Sequence, residues 1–162
     1  MKEILDKITS YNIFNNLLPG VVFVYVLKKF TGYNLIQDDT IAAAFLYYFI
    51  GMVVSRFGSI FIQPFLEWVR FIEFDDYKNF VSASKLDNKI ELLSEVNNSY
   101  RTIVALFTLL LMSKGYKILI ENFQISDNAS IFIIVILIFL LFVFSYRKQT
   151  NFITKRIKIN IP

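Results

Sequence analysis

Four apolar blocks separated by polar segments divide this chain. The plainest is 131–144, fourteen residues without one charged or polar side chain. A helix rises about 1.5 Å per residue, so roughly twenty residues cross a hydrocarbon core about 30 Å thick. With Ala129, Ser130, Ser145 and Tyr146 at its flanks the block is long enough to span, and Arg147 and Lys148 follow at the level where cations reach phosphate headgroups. A soluble core helix would show a polar face within two turns, and this one shows none. The pattern predicts a membrane helix over 129–146.

The other blocks are interrupted. The first covers 13–33, but its purely apolar part is confined to 17–27 around Pro19-Gly20. Pro19 reads as a helix start, because its missing N–H is tolerated in a first turn. The second follows Asp38-Asp39-Thr40, a ready N-cap, and covers 41–63, with Pro64 expected to kink or end it. The third is 102–120 and contains Lys114 and Lys117. The fourth would be capped by Asp127, Asn128 or Ser130. The prediction is an all-α membrane protein with four transmembrane helices. Its alternative has three spans and a re-entrant first block.

Polar connections complete a single domain. In the segment 64–101, Phe65, Trp68, Val69 and Ile72 stand against Glu67, Arg70 and Glu73, which predicts an amphipathic helix lying in the membrane interface with Trp68 as anchor. Beyond Asp75-Asp76, Leu86, Ile90, Leu93 and Val96 recur at helical spacing and predict a cytoplasmic helix running on into the third span. The tail, 147–162, carries five positive charges and no acid. Its end, Ile157-Lys158-Ile159-Asn160-Ile161, alternates with a period of two and predicts a short strand. From Glu67 to Arg101 there are seven acids and five bases, so the tail is expected to dock there, in its own subunit or a neighbour, or on anionic lipid.

Charge placement sets orientation. With four spans, thirteen lysines and arginines fall on the side that holds both termini and the central segment. Only Lys28, Lys29, Lys114 and Lys117 fall on the other. The positive-inside rule puts both termini in the cytoplasm. Composition agrees with a bilayer: 56% of residues are apolar and 19% charged, against about 25% charged in soluble domains. The net charge of +4 is too small and too scattered to point to nucleic acid, and suits an anionic membrane surface. The absence of a small-residue cleavage site after the first block argues against a cleaved signal.

The composition also bounds the chemistry. With no His and no Cys the chain cannot build a Ser-His-Asp or Cys-His site, a haem ligand pair or a zinc site. Carboxylates are missing from the apolar centres, which argues against an intramembrane aspartyl protease or a carboxylate proton relay. Asp75-Asp76 reads as a solvated turn, and no Gly-rich phosphate loop is present. No enzymatic activity, cofactor or metal is expected.

Two features remain as candidates. The apolar stretches 17–27 and 103–112 are about half the length a span requires, and each ends in a lysine pair: Lys28 and Lys29, Lys114 and Lys117. Either these side chains snorkel to the headgroups or they line a polar recess or pore, with Asp38, Asp39, Glu121 and Asp127 as counter-charges. The second feature is a small-residue stripe, Gly51, Ser55, Gly58 and Ser59, beside Arg56. Such a face lets helices approach closely in lipid, so these residues are candidates for a helix interface.

Three strings carry a resemblance: Tyr11-Asn12-Ile13-Phe14-Asn15-Asn16-Leu17-Leu18-Pro19-Gly20, Ser55-Arg56-Phe57-Gly58-Ser59, and Ser94-Glu95-Val96-Asn97-Asn98-Ser99-Tyr100-Arg101. They resemble small bacterial multi-span proteins of anti-phage defence operons; the four-span membrane component of the Kiwa system is one such architecture. The resemblance implies a membrane sensor or effector acting with a soluble partner. With the short lysine-bounded spans, the small-residue stripe and a cytoplasmic surface large enough to hold a partner, the expectation is a homo-oligomeric bacterial inner-membrane protein that senses or perturbs the membrane. The strings contain no catalytic or ligand-binding motif, and the chain has no recognisable nucleotide-sensing domain. Two other readings are a stand-alone ion or solute channel, in which the four lysines face an anion-favouring pore, and a structural membrane anchor.

Overall fold

A computed structural model describes residues 2–161, with side chains described from Asn15 onward. The side chains of the first fourteen residues, Lys2 and Lys7 among them, lie outside that description. The described chain is all helical and contains no strand. Its helices are α1 (Lys2–Thr31), α2 (Thr40–Phe57), α3 (Gln63–Trp68), α4 (Tyr77–Leu86), α5 (Lys89–Phe123) and α6 (Asp127–Asn160), and a π-helical turn, Gly58–Ile62, joins α2 to α3.

Three uninterrupted helical stretches among the described residues are long and apolar enough to cross a membrane: Thr40–Trp68, Lys89–Phe123 and Asp127–Asn160. The accessible surface of 12252 Å² says the same in another way. A soluble monomer of 19.0 kDa would expose roughly 8,400 Å². Large apolar side chains contribute to the excess, and Phe45, Phe107, Leu111, Phe132 and Phe139 all point outward. Hydroxyls in two of these helices donate to their own chain, Thr108 to Val104 O, Ser113 to Leu109 O and Ser145 to Leu141 O, and Thr31 of α1 does the same to Leu27 O, each at 2.7–2.9 Å. Where water is excluded that is the local way to satisfy a hydroxyl.

Sequence explains most of the boundaries. Asp39 caps α2 by accepting from Ala42 N at 2.7 Å, as the Asp38-Asp39-Thr40 run predicts. Ser126, rather than Asp127, Asn128 or Ser130, caps α6, accepting weakly from Ala129 N. The last turn of α1 closes on Gly32, whose φ of +84° is open to glycine at little cost.

Three expectations fail, and Pro64, expected to kink or end its span, is met by a distortion without an end. Pro19 does not start a helix, because α1 begins at Lys2 and passes straight through it. Pro64 does not end the second span either: the preceding turn widens to π spacing, with Gln63 N bonded to Gly58 O, and the helix continues to Trp68. The interfacial helix stops at Trp68, short of Val69 and Ile72, because Arg70 takes a left-handed conformation at φ 58°. Nothing in a Glu-Trp-Val-Arg run announces that stop, since αL positions normally belong to Gly or Asn. Lastly, the tail is not a strand: α6 continues as helix to Asn160, its two-residue alternation overridden by propagation from the preceding turns.

Cross-helix contacts fix the packing. Asn16 lies against Gly51 and Gly20 against Tyr47, so α1 and α2 are antiparallel. Ser99 donates to Asn15 Oδ1 at 2.8 Å, and Lys117 Nζ to Thr31 O at 2.7 Å, so α1 and α5 are parallel and coextensive from Ser99 to Lys117. The core between α1, α2 and α5 is one layer thick: Leu27, Val54, Ala105, Leu106 and Leu110. α6 leans on this group through Phe142 on Phe49 and buries only Leu141 and Ser145. At one end α4 joins the extended arms of α5 and α6, with Tyr77 against Phe152 and Lys85 Nζ bonded to Asn160 Oδ1 at 2.9 Å. The tail thus contacts the central segment of its own chain through an aromatic ring and the neutral Asn160, rather than through its cations.

Candidate functional site

Two polar levels bracket the apolar bundle. The first is the end of α1. A helix leaves its last four carbonyls without intrahelical donors, and their dipoles carry roughly half a negative charge. Because α5 runs parallel to α1 and continues past it, Lys114 and Lys117 stand beside those carbonyls. Lys117 Nζ donates to Thr31 O at 2.7 Å, and Lys114 Nζ reaches Phe30 O at 3.4 Å. Each ammonium also lies over a ring, Lys117 over Tyr33 and Lys114 over Phe30, both within 6 Å of the centroid. Lys117 also pairs with Glu121 at 3.6 Å. Lys29 sits 4.9 Å over the Tyr25 ring, while Lys28 is exposed. The structure thus separates the four lysines. Two cap a neighbouring helix and two remain on the surface.

The second level is the π turn at the opposite end. Here Pro64 is decisive. In a π-spaced ladder the carbonyl of Ser59 would pair with the N–H of residue 64, and proline has none. Lys148 of α6 supplies the missing donor, its Nζ bonded to Ser59 O at 2.6 Å. Gly58 makes the neighbouring contact possible: a side chain there would press on Ala105 Cβ and Arg101 O of α5. Arg101 Nη1 donates to Gln63 Oε1 at 2.9 Å, and Gln63 Nε2 to Glu67 Oε1 at 2.8 Å, a polar chain that joins α5 to α3. A recess of about 30 Å³ opens beside the turn, lined by Arg56, Ser59, Ser145, Lys148, Gln149 and Phe152, with Ile60 at its edge.

The small-residue stripe does not act as one face. Gly51 packs on α1, where a Cβ would collide with the Asn16 carbonyl. Gly58 packs on α5, and Ser59 is bonded to α6, because the π turn rotates the later residues relative to the earlier ones. Ser55 is half-buried, and Arg56 is exposed at the mouth of the recess. Sequence reasoning missed Lys148, Arg101 and Gln63. The signal for Lys148 is local in part, since a proline five residues after Ser59 leaves a carbonyl in search of a donor. Its partner is 89 residues away and has no sequence signal.

No family model, curated protein or solved structure matches the chain.

Proposed function

We propose that this chain is a four-span protein of the bacterial inner membrane, with both termini in the cytoplasm, acting as an oligomeric sensor or effector that couples the membrane to a soluble cytoplasmic partner in phage defence. The observation that carries this reading is the continuity of α5 and α6. They contain 35 and 34 residues, roughly 50 Å of helix each, against a hydrocarbon core of about 30 Å. Both leave the apolar region without a break, and α4 ties their polar ends together. A tilt or shift of either helix in the bilayer is therefore delivered to the surface formed by α4, the start of α5 and the end of α6.

A fourth span is supported by α1, which runs parallel beside α5 from Asn15 to Thr31, about 24 Å of helix against a core of about 30 Å. Residues 17–27 supply its apolar centre, and the lysine caps stabilise its end at the outer headgroup level. Orientation rests on the excess of Lys and Arg at the opposite end. Self-association is part of this proposal, and α6, whose apolar window is only 17% buried inside the chain, is the element with surface free for it. The stand-alone channel reading loses weight because Lys114 and Lys117 are already engaged with α1.

Plating efficiency of phage on cells carrying the chain with its neighbouring genes tests this function. Tyr100→Pro interrupts α5 where the span meets its cytoplasmic arm, at an exposed position. Protection is expected with the natural chain and not with Y100P, at equal amounts in the membrane fraction. Equal plating with and without the natural chain would remove the defence reading.

A further inference from the structure

The geometry points to a phosphate oxyanion site in the recess between α2, the π turn and the start of the α6 arm. Its lining offers donors and no carboxylate. Arg56 and Gln149 carry side-chain groups that make no hydrogen bond with any described residue, and the same holds for the hydroxyl of Ser59, a residue only 8% exposed. Lys148 spends one of its three N–H donors on Ser59 O, and its ammonium also lies 5.9 Å from the centroid of the Phe152 ring at the edge of the recess. The Ser145 hydroxyl is committed to Leu141 O. Glu67, the acid of the adjoining polar chain, does not line the recess and accepts from Gln63. Two cationic side chains and unfilled neutral donors thus converge on one small space.

Size and position narrow the ligand. About 30 Å³ admits the oxygens of a phosphate and little more, so the remainder of an ester would lie outside, along the apolar flank of Ile60 and Phe152. A planar guanidinium at the mouth and an ammonium at the wall suit an oxyanion that accepts from several directions. The recess lies where α2 gives way to the π turn and α6 leaves its apolar block, the level of lipid headgroups. The same chemistry would also hold the phosphate of a soluble ester arriving from the cytoplasm. The site does not depend on the defence reading, and its test does not use phage.

Native mass spectrometry of the full chain in a neutral detergent, titrated with dioleoylphosphatidylglycerol or with dioleoylglycerol, decides the matter. One phosphatidylglycerol should be retained in preference to the phosphate-free lipid. Arg56→Gln should weaken it about tenfold, the scale of one charged hydrogen bond. Arg147→Gln removes an exposed cation adjacent to Lys148 but outside the recess, and should leave retention unchanged. Arg56 makes no hydrogen bond or ion pair with any described residue, so R56Q should melt with the parent. Displacement of the lipid by millimolar inorganic phosphate would assign the site to phosphate from either source, and resistance to displacement would assign it to the lipid headgroup. Equal losses in R56Q and R147Q, or equal retention of the two lipids, would overturn the proposal.

Discussion

Lys117 engages three groups at once: the Thr31 carbonyl, the Glu121 carboxylate and the Tyr33 ring. Magnitudes decide among them. An exposed i,i+4 ion pair contributes about 0.3–0.5 kcal/mol, whereas a charged donor on an otherwise unpaired carbonyl contributes about 1.5–3 kcal/mol. Glu121→Gln should therefore leave stability nearly unchanged, and Lys117→Met should cost about 1–2 kcal/mol, measured by unfolding in detergent. Lys114→Met should cost less, because its reach to Phe30 O is 3.4 Å. A larger loss for E121Q than for K117M would remove the capping account. Both lysines were legible in the sequence as charges inside a short span. Their acceptors were not, because a helix end finds its cap only when another helix runs beside it.

At the scale of elements, close backbone approach and the π turn govern the bundle. Gly51→Ala would drive a methyl group into the Asn16 carbonyl, and Gly20→Ala would do the same at Tyr47 O. Each should destabilise by about 2–3 kcal/mol as α1 and α2 are forced apart. Gly115→Ala meets nothing within 4 Å and should stabilise by up to about 1 kcal/mol through helix propensity. Thermal unfolding of the three variants checks the contrast. Pro64→Ala returns a main-chain donor to the turn, which then competes with Lys148 for Ser59 O. Lys148 should become several times more reactive to an amine-acylating reagent, read by peptide mass spectrometry; unchanged reactivity would mean that proline does not set the π spacing. The helical periods and the Asp39 cap were readable from local sequence. The passage through Pro64 was not, because a donor from α6 rather than the local chain satisfies the carbonyl that proline leaves unpaired.

For the whole molecule, the absence of cysteine makes topology directly testable. Gln37→Cys in the α1–α2 connection and Asn128→Cys at the start of α6 should react with a membrane-impermeant maleimide on intact cells. Ser82→Cys in α4 and Asn151→Cys in the α6 arm should react only after permeabilisation. Labelling of Ser82→Cys and Gln37→Cys from the same side would exclude the four-span arrangement.

The membrane character of this chain was determined by its sequence alone, because transfer of long apolar helices into hydrocarbon depends on composition and length and needs no partner. The elements α2, α5 and α6 were legible for the same reason. Tertiary structure decided which polar groups meet: lysines of α5 on the end of α1, Lys148 on the carbonyl orphaned by Pro64, and the two glycines of α1 and α2 at their crossing. Such pairings join residues far apart in the chain, and their energy comes from satisfying groups that lipid cannot. Only the packed arrangement of helices brings those groups within bonding distance.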